Sequence, residues 1–232
     1  GRLLGVCAAL GLDGSRLCGR PNLFHHTHFA WTPVRRIPQV ATIFDCVCAT
    51  HPETLTPGAG DRLMRRTRLL VDASRLVLVP TKAAARDIVR LFDVPEEKVR
   101  VIPLGSDHLG TATDAEPPAP PTTPTLLTVG SLEPRKGHLA VLGALEVLRQ
   151  RGLRCRWTIA GSAGWQFDRI MRALDGSVCR EDIDIVRSTD DAGLVRLMQS
   201  STCLVTPSLA EGFGRPNVEA MRWNLPVITS NC

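Results

Sequence analysis

Short apolar runs that end at proline or glycine alternate along this chain with longer stretches of helical spacing, and one proline-dense stretch interrupts them. That rhythm is restrictive, because consecutive parallel strands need a long crossover and a helix is the usual one. In the first block, Gln39-Val-Ala-Thr-Ile-Phe44 is an apolar run ending at Asp45. Asp61 to Val71 carries helical spacing with arginines on its polar side. Arg75-Leu-Val-Leu-Val79 is continuously apolar and closed by Pro80, as expected of a buried parallel strand. Thr81 stands where an N-cap belongs, ahead of a helix from Lys82 to Phe92, and Val99-Arg-Val-Ile102 is a further short strand closed by Pro103.

The second block repeats the pattern more clearly. Strands are expected at Thr125–Val129, Trp157–Ala160, Cys203–Thr206 and Pro226–Thr229. Helices are expected from His138 to Arg151, Trp165 to Leu174, through Gln199 after Asp190 and Asp191, and from Pro216 to Trp223. Between the blocks, residues 111–124 hold Pro117, Pro118, Pro120, Pro121 and Pro124 without apolar periodicity, the composition of a semi-rigid linker. The expected fold class is therefore α/β: two Rossmann-like lobes, each a parallel sheet with helices on both faces. Residues 1–110 form the first lobe, 111–124 the linker and 125–232 the second lobe. Both lobes are expected to be incomplete. Only fragments precede Asn22, and the strand at Pro226–Thr229 has no helix after it to cover its face.

Charge and cysteines exclude several classes. The formal charge is +5, but Arg35-Arg36, Arg65-Arg66 and Arg135-Lys136 are isolated pairs. With no tyrosine and 4% aromatics, base stacking has little to work with, so no nucleic-acid partner is expected. A mild basic surplus suits an anionic small substrate or the cytoplasmic face of a membrane. No apolar stretch reaches eighteen residues, and Gly1-Arg-Leu3 leads into a mixed segment unlike a secretory leader. The eight cysteines include no Cys-x-x-Cys pair and read as reduced thiols in a cytoplasmic protein. Cys46 and Cys48 face one way if that stretch is extended, and His26-Thr-His28 places two imidazoles close in sequence. Neither pair has a convincing further ligand, so no metal and no cofactor are expected.

Two segments carry chemistry. Glu211-Gly-Phe-Gly-Arg-Pro-Asn-Val-Glu219 joins a strand to a helix. Gly212 and Gly214 allow close approach of the backbone to a ligand, and Pro216 suits a first helical turn. Free N–H groups at the helix start suit phosphate, and a carboxylate nearby can accept ribose hydroxyls. A blander account makes Glu219 a partner of the helix dipole and Glu211 a solvated loop charge. The second segment, Leu126-Leu-Thr-Val-Gly130-Ser-Leu-Glu-Pro-Arg135-Lys136-Gly137, delivers two cations where a helix begins. The dipole disfavours cations there, so a bound anion would account for them better than packing does, exposed charges in a turn being the alternative. P-loop spacing is absent.

Together these segments resemble the group 1, or family 4, retaining glycosyltransferases of the GT-B fold. Val129 to Gly137 is similar to their diphosphate loop, and Glu211 through Glu219 to their motif of two glutamates with seven residues between them. Val205-Thr-Pro-Ser208 and Leu225 to Asn231 resemble the flanking strands. Phe24 to His28, Val79-Pro-Thr81 and Val101 to Gly105 resemble segments of the first lobe. The resemblance implies transfer of a sugar, with retention and without a metal, from a nucleoside-diphosphate sugar such as GDP-mannose or a UDP-sugar. The acceptor would be a glycan or lipid-linked, met at the cytoplasmic membrane face. Arg135 and Lys136 would neutralise the leaving diphosphate beside Gly130, and Glu219 would bind the ribose. Glu211 would hold sugar hydroxyls next to the backbone of Gly212, Phe213 and Gly214. The chain departs from the family at Phe44, where members often carry histidine, and at Ser131, where many carry arginine. Asp45 is therefore placed among the catalytic candidates, with His25 or His28 sharing the acceptor-side role. The competing readings are a nucleotide-sugar binder without catalysis and another GT-B enzyme such as a sugar-nucleotide epimerase.

Overall fold

Each apolar run singled out above becomes a strand of a parallel sheet. In the computed structural model the described residues are 13–19, 21–27, 31–34, 37–110 and 121–231. The chain divides into two compact units, Gly1–Leu104 and Gly105–Cys232. Of the proline-dense stretch, residues 111–120 lie outside the described residues, as does His28.

In the first unit, β1 (Phe24–His26), β2 (Gln39–Thr42), β3 (Leu76–Val79) and β4 (Val99–Val101) lie side by side in chain order, all parallel. Phe24–His26, within the segment that resembles part of the family's first lobe, is a strand: His26 is buried and its Nε2 lies 2.9 Å from Gln39 Oε1. A short helix α1 (Val47–Thr50) precedes α2 (Ala59–Ala73), and α3 (Lys82–Phe92) follows β3. Thr81 Oγ1 accepts from the backbone N–H of Ala84 at 3.1 Å, the cap its sequence position called for. Val77 and Val79 point from the sheet onto Val71, Ile88 and Phe92 of α2 and α3. Each such fully buried side chain contributes roughly 1.5–3 kcal/mol. Cys46 and Cys48 do not form an extended pair, because one precedes α1 and the other lies within it. Burial, with the neighbouring Cys48, pushes the Cys46 thiol up to about 12, and burial raises that of Cys48. These thiols pack as small hydrophobes. Among the described residues no group of three or more His, Cys, Asp or Glu is placed to hold a metal, and no helix is long and apolar enough to cross a membrane.

In the second unit, β5 (Thr125–Val129), β6 (Arg156–Ala160), β7 (Ile183–Val186), β8 (Cys203–Thr206) and β9 (Val227–Thr229) form one parallel sheet in the order β7-β6-β5-β8-β9. The chain winds outward from β5 in one direction, then returns to the other side of β5 for β8. Helices α4 (His138–Gln150) and α5 (Phe167–Asp175) pack with Trp157 and Ile159 on one face. Helices α6 (Asp191–Gln199) and α7 (Arg215–Arg222) pack with Leu127, Ala160 and Leu204 on the other. Asp190 Oδ1 accepts from Gly193 N at 2.7 Å and caps α6. Strand β7 went unread in the sequence because Asp184 interrupts its apolar run; that residue pairs with Arg156 at 2.7 Å on the surface. Residues 105–110, read with the first lobe from sequence, group with the second unit, where Leu109 packs among Leu127, Ala220 and Leu225.

At the start of β7 the buried Asp182 accepts from Arg149 at 3.0 Å and from Arg154 at 2.7 Å, and Glu181 takes the other nitrogen of Arg149 at 2.9 Å. This cluster ties the N-terminal ends of β6 and β7 to the end of α4.

Candidate functional site

The strand order reverses between β5 and β8, and in open α/β sheets ligands bind at such a point, outside the carboxyl ends of the strands. Both sequence-predicted motifs leave the sheet there, from β5 and β8 respectively. The loops are drawn together by backbone that only glycine permits. Gly137 has φ +71°, and a Cβ on it would lie 2.2 Å from the carbonyl oxygen of Pro207. Next to it, Leu209 N donates to Arg135 O at 2.8 Å.

Arg135 and Lys136 occupy a 3-10 turn, Pro134–Lys136, just ahead of α4. Lys136 Nζ lies 2.5 Å from Glu211 Oε1, and its Cε lies 3.3 Å from where a Cβ on Gly130 would be, so the lysine crosses directly over that glycine. Arg135 donates to Ala210 O at 2.9 Å, to Glu211 Oε2 at 3.3 Å and to Glu133 Oε1 at 2.8 Å. Ser208 Oγ adds a bond to Glu211 Oε1 at 2.8 Å. The anion inferred for this cation pair is thus present within the chain, as Glu211. Burial alone would raise the Glu211 carboxyl; Lys136, the hydrogen bond from Ser208 and then Arg135 outweigh it and hold the carboxyl below its ordinary range. Glu211 is therefore an ionised acceptor at neutral pH. A hollow of about 10 Å³, the room of about one water, lies between Thr128, Lys136, Thr206, Ser208, Glu211 and Asn217.

Gly214 caps α7 in the left-handed region, with Arg215 and Pro216 opening the helix. Gly212 and Phe213, half-buried, lead into it. Asn217 Oδ1 accepts from Thr206 Oγ1 at 2.7 Å and so pins the helix start to the end of β8. Glu219, in the second turn, is 4% exposed. Its Oε1 accepts from Arg215 at 3.1 Å and lies 3.2 Å from His108 Nε2. The structure therefore brings Gly130, Arg135, Lys136, Glu211 and the 212–214 loop into one wall, with Glu219 on the adjoining helix. Sequence reasoning missed Glu133, Ser208, Asn217, Arg215 and His108. Glu133, Ser208, Asn217 and Arg215 lie inside segments already singled out, without a role assigned to them, and His108 lies outside all of them.

Asp45 belongs to the first unit, where its Oδ1 accepts from Val47 N at 3.1 Å and opens α1. Nearby, His25 Nε2 lies 2.8 Å from Thr42 Oγ1. His26 faces Gln39, not a metal position, and its partner in the His26-Thr-His28 pair is outside the described residues.

Residues 111–232 match the family described as glycosyl transferases group 1, and residues 10–108 that described as glycosyltransferase family 4. Over 222 residues the chain is 26% identical to O-antigen chain mannosyltransferase B of Escherichia coli, a match covering 90% of this chain and 57% of that protein. Over 173 residues it is 31% identical to the serotype-specific mannosyltransferase WbdA of Escherichia coli, covering 67% of this chain and 21% of that one. Among solved structures, Anabaena Alr3699/HepE in complex with UDP and glucose superposes with a TM-score of 0.73 at 17% identity, over 100% of this chain and 64% of that chain. The chain thus spans 57% and 21% of the lengths of these two curated relatives.

Proposed function

The chain belongs to the group 1 glycosyltransferases and has their GT-B fold, and from that premise we propose that it transfers a hexosyl group, mannose first among them, from a nucleoside-diphosphate sugar to a glycan or lipid-linked acceptor. The observation that carries this reading is the Lys136–Glu211–Arg135 cluster at the carboxyl ends of β5 and β8. As the bond between the sugar and the diphosphate breaks, negative charge grows on the diphosphate. Preorganised cations aimed at that charge supply the main electrostatic stabilisation. Lys136 and Arg135 are the cations, and the N–H groups at the start of α7 assist them.

In the described arrangement Glu211 holds Lys136, so the donor must exchange one anion for another. Its diphosphate takes Lys136 and Arg135, and Glu211 turns to accept sugar hydroxyls beside Gly212, Phe213 and Gly214. An ionised Glu211 can only accept hydrogen bonds and does not donate a proton to the leaving group. Glu219 takes the ribose. The first unit, with Asp45, meets the acceptor. Retention follows the family resemblance, as does work at the cytoplasmic membrane face by peripheral contact. The names of the two Escherichia coli relatives support mannose and a polysaccharide acceptor.

The test supplies the protein carrying this chain with GDP-mannose and UDP-hexoses in parallel, with and without mannan-type and lipid-linked acceptors. Release of nucleoside diphosphate and labelled product are followed, and NMR of the new linkage reads the anomeric configuration. One donor turned over with retention is the expected result. Tight donor binding with no release of diphosphate under any acceptor overturns it in favour of a binder without catalysis, the reading Phe44 favours.

A further inference from the structure

Glu219 is not an unattended carboxylate. Arg215, one turn earlier on α7, and His108, from the segment before the proline-dense stretch, both converge on its Oε1, at 3.1 and 3.2 Å. Among the described residues no hydrogen bond is made by Oε2. His108 Nε2 also lies 3.0 Å from Arg215 NH2, so the imidazole bridges cation and carboxylate: a hydrogen on Nε2 serves Glu219, and a bare Nε2 accepts from Arg215. The segment carrying His108 is itself fastened to α7. Arg222 donates to the Gly110 carbonyl and lies 3.2 Å from Asp107, and Leu109 is buried among Leu127, Ala220 and Leu225.

From this geometry we infer that His108 is a positioning residue for donor binding, which with Arg215 clamps one oxygen of Glu219 and leaves the other to accept the ribose hydroxyls. The inference rests on the ribose role proposed for Glu219. A carboxylate on a helix can swing about its side-chain torsions, and fixing one oxygen through two partners from different elements removes most of that freedom. The gain should appear only for ligands with the hydroxyls that Oε2 meets. A merely structural role for His108 would instead weaken every nucleotide alike.

The experiment measures Kd by titration calorimetry for GDP and UDP and for their 2′-deoxy counterparts, on the protein carrying this chain. His108→Ala is expected to weaken the preferred ribonucleotide about ten-fold and its 2′-deoxy form by less than about two-fold. His108→Gln, whose amide reaches the same atom, should recover most of the loss. Glu219→Gln is the control for the parent reading and should reduce the preference for ribose over deoxyribose on its own. If Glu219→Gln shows that loss of preference and His108→Ala weakens both ligands equally or neither, the positioning role is wrong and the ribose role stands. If Glu219→Gln leaves the preference intact, the ribose role falls and the positioning role falls with it. Circular dichroism and melting of each variant establish that any loss is not unfolding.

Discussion

Two clusters of the same composition, two cations and two carboxylates, sit at opposite ends of the second unit's sheet. At the amino ends of β6 and β7, Arg149 and Arg154 bracket Asp182 and Glu181; at the carboxyl ends of β5 and β8, Arg135 and Lys136 bracket Glu133 and Glu211. The distances are alike, but the burial is not. In the first cluster the carboxylate is inside, with 4% of the Asp182 side chain exposed, and the guanidiniums reach in from water at 40% and 66%. In the second the cations are the better-covered partners, with 18% of the Arg135 and 14% of the Lys136 side chain exposed. Burying a cation is costly unless it is paired, and the pairing seldom repays more than the desolvation. The arrangement at β5 and β8 is therefore a poor way to gain stability and a good way to hold charge ready for an anion. Counting charges does not separate the two clusters; strand end and buried partner do.

The sharpest way to break this comparison is to exchange the expected phenotypes. Lys136→Ala should lower turnover with saturating donor about 10²–10³-fold, the usual cost of losing a preorganised electrostatic contact. Glu211 keeps Ser208 and Arg135 as partners, so melting should shift by only a few degrees. Steady-state kinetics beside a thermal melt decide it. A large fall in melting temperature with unchanged turnover would place Lys136 with the structural cluster.

A second difference between the two ends is a buried imidazole. His138, the first residue of α4, two residues after Lys136, is 1% exposed. Burial, opposed by a hydrogen bond with the Glu133 backbone and reinforced by the charge of Lys136, lowers its pKa to about 4. The folded pKa lies below the unfolded one, so acid protonates the unfolded chain first. The contribution of neutral His138 is intact above the unfolded value near 6.5 and is lost as pH falls towards about 4. By pH 5 the loss should be about 2 kcal/mol. Urea unfolding at pH 7.5 and 5.0 measures it, with His138→Met expected to flatten the difference. An unchanged pH slope in that variant would assign the acid lability elsewhere.

The sheet of the second unit was legible because its strands are short apolar runs bounded by Pro and Gly, and its helices by caps such as Asp190. Strand β7 was not, since alternation with Asp184 weakens the apolar signal over only four residues. At the site, the residues joined by one loop were legible: Arg135 with Lys136, and Glu211 with Gly214. Ser208 reaches Glu211 across a turn, and His108 reaches Glu219 from more than a hundred residues away. No local spacing records the His108 contact, because tertiary packing alone decides it. That residues 105–110 pack with the second unit was illegible for the same reason, Leu109 being a lone apolar residue whose burial depends on Leu127 and Ala220.

The smallest expected effect concerns the structural end. Asp182→Ala removes the buried carboxylate and leaves Arg149 and Arg154, whose side chains already reach water and can return to it. That asymmetry separates the change from the severe case, in which a buried charge is stranded without a partner. Charged hydrogen bonds are worth about 1.5–3 kcal/mol each. Discounted for two guanidiniums that are about half in solvent, the loss should be about 1–2 kcal/mol. Melting should fall by roughly 3–8 °C, with donor affinity and turnover unchanged. Raising salt should lower the parent's melting point towards that of the variant, because the exposed half of the cluster is screened and the variant lacks it. Removing both arginines should cost more than removing Asp182, since the carboxylate then stays buried and unpaired. If Asp182→Ala instead depressed donor affinity while sparing the melt, position at the amino ends of the strands would not be what distinguishes the two clusters.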